Sequence, residues 1–296
     1  MVASLPSPSD GVIELGPLPL HLYGVMIALG IVAAVSLMGR RLEAAGTGSR
    51  DDAGSMATAA VLAGIVGARV YHVATEWERF RDDPARIVEI WKGGLGVPGG
   101  ILLGTLVGVW AIRRRGVSAA AALTAAAPAV PLAQAIGRWG NWWNQELYGR
   151  ATTLPWGLEI DEQHLVPGAA PGQLFHPTFL YESLWNLALC GVLALLDRAF
   201  RPQRGRLFAM YLVGYGVGRL WVEGLRIDAT KTGGGLRLNQ WMAIVITVGG
   251  LAYLLWSARG ADTMAAVAAD STEGEAEDDG VDPSNVDSAE YVRRHD

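Results

Sequence analysis

Apolar stretches of about twenty residues, closed off by clusters of arginine, recur along this chain and leave it few possible folds. One runs from Leu20 to Met38 without a charge and stops at Arg40 and Arg41; another ends on Arg113-Arg114-Arg115. About 20 helical residues cross a bilayer core. In lipid the backbone has to satisfy its own hydrogen bonds, which helices do. With 51% hydrophobic and 18% charged side chains over 296 residues, the chain reads as an all-α integral membrane protein. Seven transmembrane helices are expected, roughly 20–38, 53–74, one ending near 112, 118–136, 176–196, 207–225 and 239–257. Pro128 and Pro131 are expected to kink or break the fourth.

Outside the spans, residues 1–19 read as an irregular extracytoplasmic surface arm. Residues 150–175, with Pro155, Pro167, Gly168, Pro171 and Gly172, read as a small extracytoplasmic head insert between helices 4 and 5. Residues 258–296 read as a disordered acidic tail, with eleven acids against three arginines from Arg259 onward. The loops 40–52, 113–117 and 197–206 are short and dense in arginine, which places them on the cytoplasmic side of the membrane. The N-terminus then lies outside and the tail inside. No basic residue precedes Arg40, so no cleavable signal peptide is expected. Without its tail the chain is mildly cationic, which suits anionic membrane lipids and gives no reason to expect nucleic acid. Cys190 is the single cysteine; it reads as a small buried hydrophobe, and neither an intramolecular disulfide nor a Cys-based metal cluster is expected.

At the end of the fourth span comes Gly137-Arg138-Trp139-Gly140-Asn141-Trp142-Trp143-Asn144-Gln145-Glu146-Leu147-Tyr148-Gly149. An interfacial aromatic belt would account for its three tryptophans. It would not require two Asn, a Gln and a Glu, each of which needs a partner or water beside hydrocarbon. The stretch therefore reads as a site. In the sixth span Tyr215, Arg219, Glu223 and Arg226 recur at i, i+4, i+8 and i+11, on one helical face. An unpaired Arg near mid-bilayer costs about 2.5–3.5 kcal/mol on insertion scales, so several of them imply a wet or anionic cavity.

The expected topology gathers Arg69 and His72 of helix 2, Arg138, the Arg219 face, and His176, Tyr181 and Glu182 at the start of helix 5. All fall at the outer headgroup level. Guanidinium forks match phosphate oxygens, and the cluster reads as a site for an anionic phospholipid head. A transporter or a non-catalytic lipid-binding protein would use similar residues.

The motifs carry a further likeness. Gly137-Arg138-x-Gly140-Asn141-x-x-Asn144-x-Glu146-x-x-Gly149 resembles the characteristic motif of bacterial prolipoprotein diacylglyceryl transferases. His176-Pro177-Thr178-x-Leu180-Tyr181-Glu182 and Tyr215-x-x-x-Arg219-x-x-x-Glu223-x-x-Arg226 match two further family motifs in order, and Tyr23-Gly24 and Gly93-Gly94 also fit. The resemblance covers residues 20–257. It implies transfer of the diacylglyceryl group from phosphatidylglycerol to the lipobox cysteine of a preprolipoprotein, with glycerol phosphate released. It also implies catalytic parts for Arg138, Asn141, Glu146, Arg219 and Glu223. Tyr23, Arg69, His72, Asn144, Gly149, His176, Tyr181, Glu182, Tyr215 and Arg226 would line the substrate pocket. Many family members carry a His directly before the second Gly-Gly of the loop leading to helix 3. Here that place is Pro98, which takes no proton, and His72 is a substitute base by location only.

Overall fold

A computed structural model describes residues 4–16, 18–200, 205–230 and 232–278. It contains seven α-helices: α1 (Leu22–Ala44), α2 (Arg50–Thr75), α3 (Val97–Arg114), α4 (Ala119–Trp143), α5 (Thr178–Phe200), α6 (Arg206–Leu225) and α7 (Leu238–Asp278). Five of them, α1, α2, α4, α5 and the first part of α7 (to Arg259), are long and apolar enough to cross a membrane. In the other two, α3 is only 18 residues long and α6 carries Arg219 and Glu223. Side chains such as Leu62, Val66, Leu102, Leu106, Leu184 and Leu195 point outward and are exposed. Hydrocarbon around the helices gives so greasy an outer surface its solvent.

Local sequence explains where the helices begin and end. Ser49 caps α2 in a capping box with Asp52, and Ser118 caps α4 through the Ala121 amide. Arg41 reaches across from the last turn of α1 to the Thr124 and Ala125 carbonyls and pairs with Asp197 at 3.0 Å. It ties α1, α4 and α5 together at the end where the basic loops lie. Below it Met38, Leu42, Ile112 and Val117 form a buried cluster with the alanines of α4.

The α2–α3 hairpin depends on glycine. Gly67 faces the Gly99 carbonyl so closely that a Cβ there would collide with that oxygen and with the Leu103 side chain. Backbones this near gain dispersion contact that larger residues forbid. Gly67→Ala should therefore push the hairpin apart and cost about 1–3 kcal/mol. A lowered melting temperature in detergent would show it, whereas Gly54→Ala, which faces open space, should leave the melt unchanged.

Three expectations are corrected. The arm is not irregular throughout: β1 (Val12–Leu15) and β2 (Leu18–His21) pair antiparallel, Ile13 opposite Leu20, around a left-handed Gly16. Two short apolar strands joined by glycine satisfy each other's amides at a surface, which an irregular arm would not. The fourth helix does not stop near 136; it passes Pro128 and Pro131, both fully buried, and ends at Trp143. Half of the polar signature is thus helical, and its side chains are spaced by a helix. The tail is helix as far as Asp278, where its alanines favour that state; residues 279–296 lie outside the described residues. Arg201 and Arg204 of the expected basic loop also lie outside them. The chain divides into two units, 1–251 and 252–296, and the site belongs to the first. Two further strands, β3 (Thr232–Gly233) and β4 (Leu236–Arg237), form the turn into α7.

Candidate active site

The helix ends that meet here are the C-terminus of α4, the N-terminus of α5, the C-terminus of α6 and the N-terminus of α7. Their charges form a continuous ladder. Arg138 pairs with Glu182 at 2.6 Å, and the other Glu182 oxygen accepts from Arg219 at 2.9 Å. Arg219 then reaches Glu223, one turn on, at 2.8 Å. Glu223 also faces Arg226 at 3.4 Å and Arg237 at 2.7 Å, and it accepts from Asn239 at 3.1 Å. Asp228 closes the ladder against Arg226 and Arg237 at 2.8 and 3.0 Å. Four guanidiniums meet three carboxylates, and Glu223 at the centre is 0% exposed.

Beyond Arg138, Asn141 sits one turn along α4 and accepts weakly from it at 3.4 Å, while donating to Glu146 at 2.8 Å. Glu146 is brought back over the helix end by a tight turn in which Gln145 and Leu147 adopt positive φ, 49° and 60°. Non-glycine residues rarely do so, and such strain persists only where the surroundings impose it. The turn is imposed on both sides. Gln145 donates to the Pro8 carbonyl and to Asp161 and accepts from the Asp161 amide, and Thr178 donates to the Leu147 carbonyl.

Backbone bonds then tie the three motifs into one body. The Gly149 amide donates to the His176 carbonyl, the Arg150 amide to the Leu225 carbonyl, and the His176 amide to the Arg150 carbonyl. A Cβ on Gly149 would lie 2.8 Å from the His176 Cβ, so only glycine lets the strands meet. Tyr23 of α1 packs so closely against Gly140 that a Cβ there would collide with its ring. Beside the ladder, Glu182, Asn186, Tyr215 and Arg219 wall a cavity of about 10 Å³, room for about one water molecule. Asn186 is 2% exposed, and its Oδ1 meets no protein donor.

The structure brings together Arg138, Asn141, Glu146, Glu182, Tyr215, Arg219, Glu223 and Arg226. It sets His176 and Tyr181 apart as a pair, the Tyr181 hydroxyl 3.1 Å from His176 Nδ1 and accepting from Trp156. Asn144 ends α4, with its side chain beside Gly11. Arg69 and His72 share no hydrogen bond or ion pair with the ladder among the described residues; from the last turns of α2 they face the loop that follows it. Their contacts go to that loop, which holds three short 3₁₀ turns. Sequence reasoning missed Asp228, Arg237, Asn239 and Asn186. The signal for the first three was a cation and two polar groups flanking the turn into a span. The tryptophans are more than a belt: Trp139 donates to Ser183 and Trp142 stacks on Phe179.

Among the titrating groups outside the spans, Asp228 and His176 bear on the site. Burial works against the Asp228 carboxylate, but the hydrogen bond from Arg226 and the charges of Arg226 and Arg237 outweigh it and hold Asp228 below the usual range. Burial, helped by the charge of Arg150, holds the His176 imidazole below its ordinary value. The unfolded chain therefore takes up that proton first as pH falls. Stability present above pH about 6.5 should decline below it. His176→Gln should flatten the pH dependence of the melting temperature there; an unchanged slope would refute the assignment.

Known proteins resemble this chain over most of its length. The family model of prolipoprotein diacylglyceryl transferase matches residues 10–256. The phosphatidylglycerol–prolipoprotein diacylglyceryl transferase of Frankia alni is 52% identical over 258 residues, 86% of this chain and 67% of that protein. Transferase 2 of Streptomyces coelicolor is 48% identical, covering 87% of this chain and 82% of its own length. That of Mycobacteroides abscessus is 41% identical over 295 residues, 94% and 85% respectively. A second Frankia relative, from F. casuarinae, is matched over only 61% of its length.

Proposed function

The chain belongs to the prolipoprotein diacylglyceryl transferase family, and from that premise we propose how it moves a diacylglyceryl group from phosphatidylglycerol to the cysteine thiol of a prolipoprotein. The observation that carries the reading is the Arg138–Glu182–Arg219 bridge, two guanidinium forks held about one carboxylate. A phosphodiester offers the same planar pairs of acceptor oxygens. Arg138 and Arg219 hold the donor's phosphate. The substrate sulfur attacks the glycerol carbon bearing that phosphate; a C–S bond forms, the C–O bond breaks and glycerol phosphate leaves. The two arginines stabilise the charge growing on the departing oxygen. No cofactor is called for.

A free thiol, with pKa about 8.5, is only a few per cent thiolate near pH 7. A cationic pocket raises that fraction. Glu146, steered by Asn141, is the carboxylate left outside the arginine ladder, which makes it the best-placed acceptor for the thiol proton. Pro98 has no proton site, and His72 makes no bond to the ladder among the described residues, so Glu146 is the preferred acceptor. Tyr215 and Tyr23 shape the headgroup pocket, and Asn144 and Gly149 complete its rim.

All four helix ends of the ladder fall on one side when seven spans alternate, and the arginine-dense loops fall on the other. That supports an outward-facing site, an extracytoplasmic head at 150–175, an outer N-terminus and a cytoplasmic tail. Lipobox peptides and membrane phosphatidylglycerol would then meet the site from the outer leaflet. The test is purified protein with phosphatidylglycerol and a lipobox peptide. Glycerol phosphate should appear as the peptide gains the mass of a diacylglyceryl group, and the absence of both would end the proposal.

A further inference from the structure

One turn further into each helix, the charge ladder stands on neutral polar groups. Four residues from Arg138 on α4 is Gln134, four from Glu182 on α5 is Asn186, and four from Arg219 on α6 is Tyr215. That spacing keeps each pair on one helical face. Gln134 donates to the Tyr211 hydroxyl at 3.0 Å, and the Tyr211 ring stacks on that of Tyr215. Polar groups this far inside a span are costly unless they have partners.

Asn186 is 2% exposed, and its Oδ1 meets no donor among the described residues. It walls the hollow of about 10 Å³ together with Glu182, Trp185, Tyr215 and Arg219. The Trp185 indole N–H does not serve Asn186, because it is given to the Gly214 carbonyl at 3.0 Å. Glu182, one turn back, offers carboxylate oxygens, and two acceptors do not bond each other. Water can join them, since it brings two O–H donors and fits a space of this size. A cation in the same place would face Arg219.

We propose that Asn186 is a positioning residue of the transfer reaction, holding one buried water that donates both to its Oδ1 and to the Glu182 carboxylate. The proposal rests on the reading of Arg138 and Arg219 as phosphate-binding groups. When those arginines turn to a lipid phosphate, Glu182 gives up the partners it has at 2.6 and 2.9 Å. A carboxylate buried without partners is strongly unfavourable. The water on Asn186 stays and bonds it through that interval. Asn186 thus acts through Glu182, touches no reacting atom, and makes the capture of phosphatidylglycerol less costly.

The full chain in mixed micelles tests this, with the mole fraction of phosphatidylglycerol varied against a fixed lipobox peptide. Asn186→Leu, which removes the acceptor, should raise KM for phosphatidylglycerol about tenfold, the loss of one hydrogen bond to a charged group. Its kcat and melting temperature should stay near those of the parent. Asn186→Ser keeps an acceptor and leaves room for the water, so it should recover most of the loss. In a Glu182→Gln background no carboxylate is left to support, and Asn186→Leu should add little. An unchanged KM in folded Asn186→Leu, the same rise in both backgrounds, or a joint fall in kcat and melting temperature that Asn186→Ser does not relieve would overturn the proposal. A parent protein that releases no glycerol phosphate would instead refute the transfer reading. Independently of activity, a high-resolution crystal structure should show a water bonded to Asn186 Oδ1 and Glu182; density for none would overturn the proposal by itself.

Discussion

Arg138→Ala is expected to lower turnover of phosphatidylglycerol by at least about 10²–10³-fold, the usual cost of losing one donor to a developing oxyanion, while the protein still purifies folded. The second half follows from the ladder. Removing Arg138 leaves Glu182 bonded to Arg219 at 2.9 Å, so no buried carboxylate is stranded. Arg138→Lys should recover little, because a single ammonium cannot span two phosphate oxygens as a fork does. Glycerol phosphate release under saturating peptide is the measurement, with a melting curve alongside. Turnover near wild type in a folded Arg138→Ala protein would remove Arg138 from the reaction.

Glu223→Ala should act on the fold first. Glu223 is fully buried and is shared by Arg219, Arg226 and Arg237. Without it those guanidiniums face one another, with Glu182 and Asp228 left to answer them. Breaking a buried ion pair by deleting one partner costs about 3–5 kcal/mol, enough to consume much of a typical domain's stability. Loss of most of the folded yield, or a sharp drop in melting temperature, is the expected result. Glu223→Gln should fall between, because its oxygen still accepts from Asn239 while its charge is gone. An alanine variant that melts like the parent would mean that the arginines find other partners.

How far the site could be read from sequence follows from distance along the chain. The α6 face was legible because 3.6-residue periodicity places Tyr215, Arg219, Glu223 and Arg226 together without help from any other segment. Glu182 could be placed near them because it opens a span on the same side. Arg237 could not: its pairing with Glu223 needs the turn Thr232–Arg237 to bring the start of α7 against the end of α6, and nothing local encodes that. The partners of Arg69 were hidden for a related reason. Its partners are backbone carbonyls of residues 86, 87, 93 and 94, and carbonyls leave no mark in a sequence. The helices themselves were easy to see, since hydropathy reports them directly. Their ends shifted by several residues wherever, as at Gly137–Trp143, polar side chains sit on a continuing helix.

The bridge made by Glu182 gives the enzyme a resident counter-ion. Any lipid phosphate arriving at Arg138 and Arg219 competes with a tethered carboxylate already in place, so capture is an exchange and its net affinity is the difference between two pairings. On the proposed reading the same tether would speed departure, because Glu182 sits at high effective concentration beside both arginines and would reclaim them as the leaving group drifts away. An arginine pair left bare would hold an anionic product; one with a tethered carboxylate would let it go.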